Sequence, residues 1–143
     1  MNASGDTALL RLNGIAVMAD GGVAPALPAR PTLRFVWRGR ECAAELVPEG
    51  LLLSAWTARV PSSALSAERR GAVLSALPEI ARRLPEAWRL RLTADHRILV
   101  QASHPGTYPT PMVALLSDLV RFALALDPLC DALDEAGAEL APA

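Results

Sequence analysis

Residues 32–47 of this chain read TLRFVWRGRECAAELV, and they decide the fold. Leu33, Phe35 and Trp37 alternate with arginines, which is the period-two pattern of a half-buried β-strand. The pair Gly39-Arg40 then fits a two-residue hairpin loop with glycine in first place. This stretch therefore predicts a β-hairpin and, with it, an antiparallel sheet.

A loop at Gly39-Arg40 also predicts the register of the hairpin. One face is then entirely apolar, with Phe35 opposite Ala44. The other face carries two opposite-charge pairs, Arg34–Glu45 and Arg38–Glu41. A slip of one residue would destroy both patterns, so the sequence favours one register.

The rest of the chain extends this hairpin into an α+β fold. We expect the order β-β-β-α-β-β-α, with one antiparallel sheet and both helices packed on it. The helix after Ser66 should be kinked or split at Pro78, and the last helix should restart at Asp127-Pro128 and end near Gly137. The predicted elements are strands 32–38, 41–46, 51–60, 88–92 and 97–103, and helices 66–84 and 112–136.

The proline and glycine pattern predicts one domain with two loose ends. Residues 1–31 are expected to be a weakly structured leader, with a helical turn at Thr7–Leu12 and a linker at Gly21–Pro31. Residues 32–137 form the α+β domain. Residues 138–143 are predicted to be a loose tail.

The charge of the chain is nearly balanced but unevenly distributed. Its 143 residues carry a net charge of −1, which argues against a partner recognised through nucleic-acid phosphates. Residues 30–97 have a balance of +5, however, and residues 98–143 a balance of −5. Such asymmetry indicates an acidic helical end lying on a basic body, in the same chain or across a dimer; recruitment of a charged partner is the alternative.

Composition excludes several classes of site. All fourteen basic residues are arginine, so neither a Schiff-base lysine nor a phosphate-loop lysine is possible. Cys42 and Cys130 lack the spacing of a zinc or thiol-redox motif and are interpreted as core residues. We expect no metal, no cofactor and no membrane insertion, and the simplest localisation is cytoplasmic.

The candidates for catalysis are two histidines and one tyrosine. His96 is interpreted as a solvated residue of a hairpin turn. His104 and Tyr108 share a proline-rich loop and could do acid–base work, but no carboxylate lies near them in sequence and no nucleophile motif is present. The sequence thus favours a protein that is not an enzyme.

The order of elements and the chain length resemble the type III secretion chaperone-like fold, which includes class I effector chaperones and YbjN-type domains. The features that carry the resemblance are the three strands in Thr32–Val60, the hairpin Trp88–Ser103 and the final helix Met112–Ala136, and together they cover about residues 30–137. Such chaperones normally begin with an amphipathic helix, which is at best a stub here. The resemblance implies a homodimer that wraps an extended stretch of a secreted protein.

These observations predict a protein-binding chaperone or adaptor of bacterial secretion, with an extended segment of a protein as its partner. The alternatives are a YbjN-type regulator acting through protein contacts and, less favoured, a small hydrolase using His104 and Tyr108. We expect dimerisation through the last helix or the strand Leu51–Val60, because the helix is apolar nearly all round. The alternative is that the middle helix of the same chain covers the second apolar stripe of the last helix. Its first stripe is Leu115, Leu119, Phe122 and Leu126, and its second is Val113, Leu116, Val120 and Leu124; the predicted partner or dimer residues are the first stripe with Leu53 and Trp56.

Overall fold

The computed structural model describes residues 8–140, which form nine strands and two helices arranged as an α+β protein with two antiparallel sheets. The strands are β1 (Ala8–Leu12), β2 (Ile15–Met18), β3 (Gly22–Pro25), β4 (Thr32–Trp37), β5 (Arg40–Val47), β6 (Gly50–Arg59), β7 (Trp88–Leu92), β8 (Arg97–Pro105) and β9 (Thr110–Pro111). The helices are α1 (Ser63–Arg82) and α2 (Met112–Ala136). The predicted α+β class with antiparallel pairing is confirmed.

A five-stranded sheet in the order β4-β5-β6-β8-β7 forms the body of the fold. Helix α2 lies against β6, and α1 lies against α2. Buried side chains from β5, β6, β8 and both helices form one core, at whose centre Leu46, Ile98 and Leu126 are fully buried. Burial of this apolar surface is the main stabilising contribution to the fold.

The segment before Thr32 contributes strands, which corrects three expectations. Ala8–Leu12 is strand β1 and not a helical turn, although Thr7 itself lies outside the described residues. The predicted linker Gly21–Pro31 contains β3, which is buried along its length between β2 and β9. A second, four-stranded sheet in the order β1-β2-β3-β9 therefore adjoins the first, and neither the single sheet nor the order β-β-β-α-β-β-α is confirmed.

The hairpin β4–β5 keeps the predicted apolar face but not the predicted register. Its turn is Arg38-Gly39, and both residues have positive φ, as a type I′ turn requires. Phe35 consequently lies opposite Cys42 and not Ala44. The shift displaces each pairing by two positions, which preserves the faces and breaks both predicted charge pairs.

The charged residues of the hairpin find other partners. Glu45 forms an ion pair with Arg30, whose Nε lies 3.0 Å from Glu45 Oε2. Arg34 lies opposite Ala43. Arg38 contacts helix α2 and not Glu41. The predicted pairs Arg34–Glu45 and Arg38–Glu41 are therefore wrong.

Neither helix is interrupted at its proline. Helix α1 leaves helical geometry only at Ser66, whose Oγ accepts a hydrogen bond from the Arg69 N–H at 3.1 Å. The predicted cap at Ser66 is therefore present. One further turn precedes it, and Ser62 caps that turn. The chain continues through Pro78 without a split. Helix α2 likewise continues through Pro128 and ends at Gly137, so the predicted restart at Asp127 is wrong and the predicted end is confirmed.

The predicted loose tail, residues 138–143, is in part an ordered segment. Glu139 exchanges backbone hydrogen bonds of 2.7 and 2.9 Å with Arg59 at the end of β6. This bridge ties the chain back to the five-stranded sheet. The expectation for residues 141–143 lies outside the described residues.

Candidate functional site

Helix α2 carries two apolar stripes with opposite environments. The first stripe faces the core, where Leu115, Phe122 and Leu126 are buried and Leu119 is partly buried. Phe122 packs against Trp88 of β7, with ring centroids 5.0 Å apart. Leu115, Phe122 and Leu126 hold α2 on the sheet of their own chain, so these three are core residues and not exposed partner residues. Leu119 stays a predicted partner residue.

The two predicted partner residues of β6 are separated by the sheet. Leu53 points into the core and is buried. Trp56 points to the other side, where the Arg97 guanidinium lies 4.0 Å from the ring centroid. Because β6 is the central strand, between β5 and β8, its edges cannot pair with a second copy.

The second stripe of α2 faces outward. Val113, Leu116, Val120 and Leu124, with the adjoining Met112, are between 41% and 72% exposed; we call these five residues the outer stripe. Between residues 112 and 126 the helix carries only two charged side chains, Asp118 and Arg121. A helix face this apolar in water is typical of an interaction surface.

The five-stranded sheet also leaves one of its faces uncovered. Both helices lie on the side of Leu53, so the side of Trp56 and Leu52 is open. A shallow groove of about 390 Å³ crosses this open face from β4 to β7. Its lining mixes charged, polar and apolar side chains, among them Arg34, Glu45, Leu52, Ser54, Arg89 and Gln101.

The charge asymmetry of the sequence is partly balanced within the chain. Arg38, in the turn of the first hairpin, contacts Asp131 of α2 at 2.9 Å and Asp134 at 3.7 Å. The neighbouring Trp37 donates its Nε1–H to Asp127 at 2.8 Å. The three aspartates follow one side of the helix at spacings of four and three residues. Part of the predicted contact between the acidic helical end and the basic body is thereby confirmed.

Arg40 anchors the same contact from inside. Its side chain is 4% exposed, and its Nη2 lies 3.0 Å from Asp134. Its Nε donates to the Thr57 carbonyl at 2.7 Å, and its Nη1 donates to the Arg38 carbonyl at 3.0 Å. Thr57 lies in a β-bulge between Trp56 and Ala58 and has no opposite residue on β8. Arg40 thus satisfies a carbonyl that the sheet leaves unpaired.

His104 lies beside a carboxylate that the sequence did not reveal. Its Nε2 is 3.4 Å from Asp118 of α2, fourteen positions further along the chain. Tyr108 uses its hydroxyl to donate to the Gly50 carbonyl at 2.6 Å, and burial, with a smaller effect of the Asp118 charge, raises the pKa of this phenol. A tyrosine held in this way braces the loop against β6. Asp118 was missed because only the return of α2 past the end of β8 brings the two residues together.

The cysteines are core residues with suppressed ionisation. Cys42 on β5 and Cys130 on α2 are both buried. Burial is the largest cause that raises the pKa of the Cys42 thiol to about 11, and burial also raises the pKa of Cys130. Thiols of this kind are poor nucleophiles at neutral pH.

Residues 8–140 contain neither a candidate metal site nor a candidate membrane span. No group of three or more histidine, cysteine or acidic side chains in that range could hold a metal ion. Neither described helix is long and apolar enough to cross a membrane.

Comparison with known proteins provides no family for this chain. No family model, no curated protein and no solved structure matches it. The type III secretion chaperone-like fold therefore stays a prediction from the order of elements.

Proposed function

We propose that this chain is a non-enzymatic, cytoplasmic chaperone or adaptor that acts as a homodimer and holds an extended segment of a secreted partner protein. The observation that carries the proposal is the outer stripe of α2. The stripe is exposed on the side of α2 away from the core, and the opposite stripe of the same helix fills the core. The resemblance to type III secretion chaperones suggests the kind of partner.

The spacing of the outer stripe favours a second copy of this chain as its cover. Met112, Leu116, Val120 and Leu124 form a ridge at intervals of four residues, and such ridges interdigitate when two helices cross at about −50°. A two-fold axis near Asp118 places Leu116 opposite Val120 of the second copy, and Met112 opposite Leu124. A surface that complements itself about a two-fold axis is what a symmetric dimer requires.

The test is a photo-crosslinker placed in the stripe. We expect benzoylphenylalanine at position 116 to give, on irradiation, a covalent species of twice the 15.1 kDa chain mass. The matched control is the same group at position 65 on α1, where Leu65 is 79% exposed and lies outside the stripe. Equal yields at both positions, or no dimer at position 116, would contradict the proposed interface.

The contact between His104 and Asp118 supports a hydrolase as the second candidate function, because it supplies the carboxylate that the sequence lacked. A hydrolase would need His104 for activity, whereas a binding protein would not. We expect His104→Ala to leave partner binding and dimer formation unchanged. Loss of a biological activity in this variant, with folding and dimer intact, would favour the enzyme.

A further inference from the structure

The last strand of the five-stranded sheet has one edge without a partner. Strand β7 pairs with β8 and with no other strand of residues 8–140. The Thr93 N–H donates to the Arg97 carbonyl at the adjoining turn, and this bond fixes the alternation along the hairpin. The backbone groups of Arg89 and Arg91 therefore point to β8, and those of Leu90 and Leu92 point outward. An outward row of this kind is a template for one more strand.

The side chains on the open face of this edge are cationic. Arg89 and Arg91 are exposed on that face and form no ion pair with any described residue; Arg91 contacts only the amide of Gln101, at 3.4 Å. The β8 residues opposite them, Gln101 and Leu99, are uncharged. Two positive charges thus stand two residues apart along the strand, and neither has an ion-pair partner between residues 8 and 140.

The other face of the same edge is apolar. Trp88 and Leu90 are half-buried and Leu92 is exposed, all on the side of the helices. Beside Trp88 a depression of about 210 Å³ opens between β8 and α2. Six of its ten lining residues are apolar and four are polar: Leu53, Pro85, Trp88, Ala102, Phe122 and Ala125, with Ser103, His104, Asp118 and Arg121. A strand added to β7 would present alternate side chains to this apolar side.

The opposite edge of the sheet lacks this combination. Strand β4 carries Arg34 on the open face, but the neighbouring β5 contributes Glu41 and Glu45 there, and Glu45 already binds Arg30. The charge on that side is therefore mixed. Edge strands often carry charged residues merely to prevent unwanted pairing. Peptide binding distinguishes that protective role from recognition of a partner strand.

We propose that the free edge of β7 binds an extended segment of a protein partner in which acidic and apolar residues alternate. Carboxylates of the added strand lie against Arg89 and Arg91, and the intervening apolar side chains lie on the side of Trp88, Leu90 and Leu92. The main-chain bonds to Leu90 and Leu92 give affinity, and the side-chain alternation gives specificity. This inference rests on the proposed protein-binding function and names the chemistry of the partner.

The experiment uses short labelled peptides and fluorescence anisotropy on the full chain. A hexapeptide of alternating glutamate and valine is expected to bind, with weaker binding at higher salt. Replacing each glutamate with lysine should weaken binding at least about tenfold, because each exposed charge pair changes from attraction to repulsion. Two N-methylated versions carry methyl groups on alternate amides. Only the set whose amides face β7 should lose binding.

Matched variants locate the site on the protein. The double variant Arg89→Glu and Arg91→Glu should lose the glutamate peptide by about tenfold or more and gain the lysine peptide. The control Arg34→Glu, an exposed arginine on the same face at the other edge, should change the affinity less than about twofold. Equal binding of both peptides, or equal effects of both variants, would overturn the inference.

Two further outcomes are decisive. If a labelled single-stranded RNA binds more tightly than the glutamate peptide and loses affinity in the same double variant, the arginines serve a nucleic acid and the inference is wrong. If no peptide binds while the crosslinker at position 116 still yields the dimer, the β7 site is wrong and the proposed function stands. If the dimer is absent as well, the proposed function fails with it.

Discussion

Replacing the buried Arg40 with methionine should destabilise the protein far more than the same change at its neighbour Arg38. Methionine retains an apolar stem of similar length but donates no hydrogen bonds. Arg40 is 4% exposed and Arg38 is 34% exposed, although both contact Asp134. The two changes therefore compare a buried anchor with a surface ion pair on one helix.

The expected magnitude follows from the groups left behind. The Thr57 carbonyl belongs to a fully buried residue and loses its donor, which costs about 1–3 kcal/mol. Asp134 is 52% exposed, so water can solvate its carboxylate once Arg40 is removed. The loss of this ion pair therefore adds only about 0–1 kcal/mol. We expect Arg40→Met to lower the free energy of unfolding by about 1–4 kcal/mol, and Arg38→Met by about 0–1 kcal/mol.

Urea denaturation at a fixed protein concentration measures both variants, since any dimer makes apparent stability depend on concentration. The reasoning is refuted if the two variants are equally stable with unchanged m-values. A double-mutant cycle between Arg40 and Asp134 then isolates the ion pair, and we expect a coupling of about 0.5–3 kcal/mol.

Three further predictions concern the backbone and the core. Gly50→Ala should destabilise the fold by about 2 kcal/mol or more, because Gly50 has a φ of +142° and an added Cβ would clash with the His104 carbonyl and lie 2.7 Å from Gly106 N. An unchanged unfolding midpoint for this variant would contradict the close approach of β6 and β8. Gly71→Ala should instead stabilise α1 by about 0.5–1 kcal/mol, since nothing lies within 4 Å of the added Cβ, and a loss of stability would show hidden crowding there. With the pKa of Cys42 raised to about 11, neither it nor Cys130 should react with a thiol reagent at pH 8 until the protein unfolds, when both should react; rapid reaction of the native protein would refute their burial.

Local pattern predicted the faces of the elements well and their pairing less well. The alternation of Leu33, Phe35 and Trp37 correctly predicted the inward face of β4, because period two follows directly from strand geometry. The turn was placed one residue late because glycine fits either position of a two-residue loop. With the turn at Arg38-Gly39, Arg38 and Arg40 contact aspartates of α2 some ninety positions further along the chain. Contacts between residues so far apart in sequence cannot be predicted from a local pattern.

The prolines were misjudged because their surroundings were unknown. A proline within a helix removes one hydrogen bond and frees one carbonyl. The side chains of Pro78 and Pro128 are both exposed to solvent. Buried neighbours such as Ile80 and Leu129 hold each helix in place, so the lost bond costs too little to end it.

The four-stranded sheet and the His104–Asp118 contact could not be predicted for a related reason. Strands β1 to β3 are four or five residues long, and β9 has only two, so their periodicity is too short to distinguish from a linker. They are strands because they pair with each other. The two-stripe pattern of α2 was visible in the sequence, but only the fold shows which stripe is covered.

Light scattering on the unmodified chain measures whether it is a dimer in solution. At low micromolar concentration we predict a mass of twice 15.1 kDa, which falls to the single-chain mass when Val120 is replaced with glutamate and persists when Leu65 is replaced in the same way. A 15.1 kDa monomer for the unmodified chain would contradict the account, because the outer stripe of α2 would then lack the partner for which it is proposed.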